Sequence, residues 1–61
     1  MKSNLNLRSY KFIYLDRRGN ELEVRYYLDS FFNIRNARAY ASRLLAENSL
    51  NAVKIKVRRI Y

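Results

Sequence analysis

The chain predicts a small α+β domain of order ββαβ, a three-stranded sheet with one helix packed on one face. Three observations carry this expectation. Residues 9–16 and 21–28 are short runs rich in aromatic and β-branched residues, and they flank the segment holding the only glycine. Residues 30–48 repeat apolar side chains at helical spacing, and residues 52–60 alternate apolar with basic ones.

The first strand is Ser9-Tyr10-Lys11-Phe12-Ile13-Tyr14-Leu15-Asp16. A tight loop, Arg17-Arg18-Gly19, then pairs Asp16 with Asn20, with glycine where a hairpin needs a positive φ. The second strand is Glu21-Leu22-Glu23-Val24-Arg25-Tyr26-Tyr27-Leu28. Carried outward without interruption, the loop sets Tyr14 opposite Leu22, Phe12 opposite Val24 and Tyr10 opposite Tyr26 on one face. The other face then pairs Leu15 with Glu21, Ile13 with Glu23 and Lys11 with Arg25. A slip of one residue reverses the relative faces.

The helix starts from an N-cap at Ser30 or Asn33. Ile34, Ala37, Ala41, Leu44 and Leu45, with Tyr40 beside them, form its apolar stripe. Arg43 and Glu47 have the spacing of a surface ion pair, Arg35, Arg38 and Ser42 fall on the exposed side, and Asn48-Ser49-Leu50-Asn51 ends the helix. In the last strand Val53, Ile55 and Val57 point one way and Lys54, Lys56 and Arg58 the other. It can pair antiparallel with the first strand or parallel with the second through a right-handed crossover; we place the first strand at the centre. The expected core is Tyr10, Phe12, Tyr14, Leu22, Val24, Tyr26, Ile34, Ala37, Ala41, Leu44, Leu45, Val53, Ile55 and Val57.

Sixty-one residues make one domain, with residues 1–8 as a flexible or irregular arm. The chain has neither Cys nor His, so disulfides and the usual zinc ligands are absent and no cofactor is expected. No nucleophile–base pair or glycine-rich phosphate loop can be drawn, so we expect no enzyme. No apolar run reaches membrane-span length and Met1–Asn6 lacks a signal-peptide core, which leads us to expect a cytoplasmic protein without a membrane partner. The net charge of +8, with nine arginines among thirteen cations, favours a polyanionic or acidic partner.

One helix covers one face of a sheet, so function is expected on the other. Its expected residues are Lys11, Ile13, Leu15, Glu21, Glu23, Arg25, Tyr27, Lys54, Lys56 and Arg58. The favoured reading is sequence-nonspecific nucleic-acid binding. Lys11, Arg25, Lys54, Lys56 and Arg58 would meet phosphates together with Arg17 and Arg18 at the hairpin tip, and Tyr27 would stack on a base. Glu21 and Glu23 oppose phosphate, and a basic surface also serves solubility alone. The alternative is a small inhibitor or adaptor, of the kind phages and plasmids encode, that docks on an acidic host protein through Ile13 and Leu15. A homodimer through the open face or edge is compatible with both. Arg58, Arg59 and Tyr61 would form either a contact tail or a solvated end.

Tyr10 to Glu47 resembles the small DNA-binding arm domain of tyrosine recombinases, with strands around a D-x-x-G turn (Asp16-Arg17-Arg18-Gly19) and a helix carrying A-x-x-x-A (Ala37 and Ala41). The resemblance implies a sheet that reads DNA. That family has three strands before its helix, whereas this chain has two before and one after. Residues 30–53, from Ser30-Phe31 through Ala37 to Val53, are similar to half of a peptidoglycan-binding SPOR repeat. No residue role is carried over from either likeness.

Overall fold

Asp16 organises the turn that starts the fold. Its Oδ1 accepts from the Arg18 and Asn20 backbone N–H groups, each at 2.8 Å, and its Oδ2 accepts from the Asn20 side-chain amide at 3.2 Å. The Asp16 N–H donates to the Asn20 carbonyl and Gly19 N–H to the Asp16 carbonyl, both at 3.0 Å, while Gly19 sits at φ 87°. The three-residue loop is therefore the one expected, with glycine in the left-handed region that other residues rarely adopt. Donors converging on the Asp16 carboxylate, the Asn20 N–H foremost, hold its pKa below the ordinary carboxylate value.

The computed structural model describes residues 6–47 and 50–60. Most of the expected arm (residues 1–5), the Asn48-Ser49 helix stop and Tyr61 lie outside the described residues. The elements are β1 (Arg8–Leu15), β2 (Glu21–Phe31), α1 (Ile34–Glu47) and β3 (Lys54–Arg59). Both pairings are antiparallel and the order is β2-β1-β3, with β1 central.

The register of β2 departs from the uninterrupted ladder. Leu15 pairs with Glu21 as expected, but Tyr14 pairs with Glu23, so Leu22 is an extra residue in a β-bulge. Beyond it every partner is offset by one: Ile13 faces Val24, Phe12 faces Arg25, Lys11 faces Tyr26 and Tyr10 faces Tyr27. A second irregularity follows, where Arg8 pairs with Phe31. There Asp29 adopts φ 49°, its N–H donates to Ser9 Oγ at 2.9 Å, and Ser30 Oγ donates to the Leu28 carbonyl at 2.9 Å. Ser30 thus belongs to β2. The helix cap is Asn33, whose Oδ1 accepts from the Asn36 N–H at 2.9 Å.

The offset changes which aromatic residues meet the helix. Phe12, Tyr27, Phe31 and Tyr40 form a four-ring cluster in which all six centroid separations lie between 4.5 and 6.4 Å. Each such pair contributes about 0.5–1.5 kcal/mol beyond its buried area. The uninterrupted register would forfeit several of these, enough to favour the bulge. Ala37 and Ala41 are both buried and let α1 lie close over the rings. Tyr10, Phe12, Tyr14, Ala37 and Ala41 are the buried core, with Tyr27, Phe31, Leu44, Leu50, Ala52, Ile55 and Val57 packed against it. Of the expected core, Leu22, Tyr26, Ile34 and Val53 are exposed, and Val24 falls on the opposite face.

Candidate nucleic-acid interface

The helix-free face is built in cross-strand rows. Arg58, Lys11 and Tyr26 form one; Lys56, Ile13 and Val24 the next; Lys54, Leu15 and Glu21 the third. Lys54, Lys56 and Arg58 therefore stand in a column along β3, about 6.7 Å apart, since each is two strand residues from the next. Lys11 adds a fourth cation beside Arg58. Tyr26, 63% exposed, lies on the same face two strands away from Arg58. The face is thus divided lengthwise. Its β3 side is cationic, and its β2 side carries the exposed apolar residues Leu22 and Tyr26, with Leu28 exposed further along the strand.

Arg17 and Arg18 are exposed at the hairpin tip. They border a shallow depression with Asp16, Asn51 and Val53, at the end of the sheet where β3 begins. The tip therefore continues the cationic column past Lys54. Among the described residues the one ion pair joins Arg25 to Glu23, which leaves Lys11, Lys54, Lys56 and Arg58 without an acidic partner. Arg43 and Glu47, spaced for a pair, form none.

Two expected site residues are placed elsewhere, and a third is buried where it stands. Arg25 and Tyr27 lie on the helix side, because the Leu22 bulge turns them there. Arg25 donates from Nη1 to the Tyr14 hydroxyl at 3.2 Å, its guanidinium lies 4.9 Å from the Tyr14 ring centroid, and its Nε bonds Glu23. It roofs the end of the core. Burial pushes the Tyr14 phenol above its ordinary pKa, with Arg25 opposing. Tyr27 is a member of the four-ring cluster and presents no free stacking surface to the open face. Glu23 likewise leaves that face, removing one of the two acids expected to repel phosphate.

The third is Ile13. It stays on the open face but is only 8% exposed, paired across the sheet with Val24 on one side and a half-buried Lys56 on the other. It cannot serve as a docking contact, and Leu15 is half-buried. Tyr26 is the residue that sequence reasoning missed. The Leu22 bulge that turns it to the open face left no signal in the alternation of β2, which carries large apolar residues at both parities.

Among the described residues no group of His, Cys, Asp and Glu could hold a metal ion, and no helix is long and apolar enough to cross a membrane. No family model, curated protein or solved structure matches the chain, so neither the recombinase-arm nor the SPOR likeness gains support from these comparisons.

Proposed function

We propose that this chain is a non-catalytic, sequence-nonspecific nucleic-acid-binding module acting in the cytoplasm. The observation that carries the reading is the column Lys54-Lys56-Arg58, flanked by Lys11, bordering a face that ends in the exposed ring of Tyr26. A single strand laid along β3 would place phosphates on the column and turn bases across β1 toward β2, where Tyr26 offers a stacking surface. Arg17 and Arg18 would extend the track at the tip. The contacts are to backbone charge and ring faces, which carry little sequence information.

Fluorescence anisotropy with labelled single- and double-stranded oligonucleotides, over a salt series, tests this. Four phosphate contacts give log–log salt slopes of about −2.8 for single strands and −3.6 for duplex. Replacing Lys11, Lys54 and Lys56 by Gln should make that slope shallower by about 2.1 for single strands and about 2.7 for duplex, one contact for each cation removed. An affinity that does not change with salt would rule the proposal out.

The exposed apolar side chains of Leu22, Tyr26 and Leu28 favour a second reading, an adaptor or inhibitor docking on an acidic protein. Leu22→Ser with Leu28→Ser separates the two, weakening protein docking and sparing oligonucleotide binding.

A further inference from the structure

The outer edge of β3 and the helix beside it form a second feature, distinct from the open face. A groove of about 460 Å³ runs between Arg38, Ala41, Ser42 and Leu45 of α1 and residues 54–58 of β3. No residue of β1 or β2 lines it, so it opens at the flank of the sheet. Ile60 N–H donates to the Ser9 carbonyl at 2.9 Å, in step with the β1–β3 register. That alternation turns the backbone groups of Lys54, Lys56 and Arg58 toward β1. The N–H and C=O groups of Ile55, Val57 and Arg59 consequently face outward along the groove.

We propose that this edge binds an extended acidic segment of a partner protein as a fourth, antiparallel strand. Backbone pairing with Ile55, Val57 and Arg59 would supply affinity, and alternate side chains would supply selectivity. Partner residues opposite Ile55 and Val57 point into the groove, over Ala41 and Leu45, where small apolar side chains fit. Those opposite Lys54, Lys56 and Arg58 point to the other face, where acidic side chains meet three cations. The ligand is thus a strand in which Asp or Glu alternates with Val, Ile or Ala. Arg38 flanks the bound strand from the helix side and Lys54, Lys56 and Arg58 from the other face, and no acid is among the lining residues, which selects an anionic occupant.

A second copy of the chain is a poor occupant. Only odd-numbered residues present backbone groups outward, so any antiparallel pairing of β3 with itself sets odd against odd and even against even. Lys54, Lys56 and Arg58 would then stand opposite one another, an arrangement that destabilises strand pairing.

The test uses a synthetic peptide of three Glu alternating with three Val, capped at both ends, titrated at physiological salt while backbone amide exchange is followed by NMR. The expected result is slowed exchange at Ile55, Val57 and Arg59. Methylating the peptide nitrogens that pair with the edge, which keeps every charge, should abolish binding. Arg38→Glu should weaken the peptide about tenfold, from one attraction exchanged for one repulsion. Ser42→Tyr, on the exposed side of α1, should fill the groove and block the peptide while leaving oligonucleotide binding unchanged. Equal binding of the methylated peptide, no binding, or protection confined to the open face would overturn the proposal. So would protection of the same amides by an oligonucleotide instead, or by a dimer of the free protein seen in sedimentation.

Discussion

The two faces of the sheet share the central strand and differ in almost everything else. On the helix side, Tyr10, Phe12 and Tyr14 are sealed beneath α1 by Tyr27, Phe31 and Tyr40, with the Arg25–Glu23 pair closing one end. On the other side Ile13 is buried by its neighbours alone, and cations and apolar residues are sorted into separate columns. One face uses its rings to hold the chain together and the other leaves a ring exposed. The division is made by a single additional residue in β2, not by a change in composition.

The largest break in this comparison comes from Phe12→Ala. Phe12 is fully buried and meets three other rings, so truncation should cost about 3–5 kcal/mol. A domain this small holds only a few kcal/mol in total. Loss of the cooperative thermal transition in circular dichroism is the expected outcome. A sharper contrast lies in the adjacent tyrosines. Tyr27→Ala removes three ring contacts and should destabilise by about 2 kcal/mol in urea unfolding. Tyr26→Ala should leave stability within about 0.5 kcal/mol, yet weaken single-stranded oligonucleotide binding by about 1–3 kcal/mol. If the two variants behave alike, the faces are not divided as described.

The smallest effect concerns the hairpin that both faces share. Because the folded pKa of Asp16 is depressed, its contribution is fully present above the unfolded value near 3.8 and is lost as pH falls through the lower folded value. Wild type and Asp16→Asn should therefore differ by a constant stability at neutral pH. The gap should narrow only below about pH 3.8, where Asp16 protonates in the unfolded chain. Chemical unfolding of both proteins from pH 7 to pH 2 checks this. A gap that does not change across that range would show that the carboxylate charge is irrelevant to the turn.

The elements and their order were legible because each rests on a local signal: glycine in the hairpin, Asn33 before the helix stripe, and parity in β3. The cations Lys11, Lys54, Lys56 and Arg58 fell where alternation puts them, since β1 and β3 pair without interruption. Arg25 and Tyr27 did not. Both parities of β2 carry large apolar residues, Leu22, Val24 and Tyr26 on one and Tyr27 and Phe31 on the other, so alternation alone could not choose between them. A bulge leaves no periodic trace, and what decided the register was a set of ring contacts reaching from β1 to α1.

Removing a residue from the middle of a strand ordinarily turns everything beyond it inside out. At Leu22 the opposite holds. Because Tyr14 already pairs with Glu23 and Leu15 with Glu21, a chain lacking residue 22 would run its ladder through without a step and keep every later partner. At that step the strand is one residue longer than its pairing requires. Chain length at that point is a free variable, and a shortened descendant would keep the same inside and the same outside.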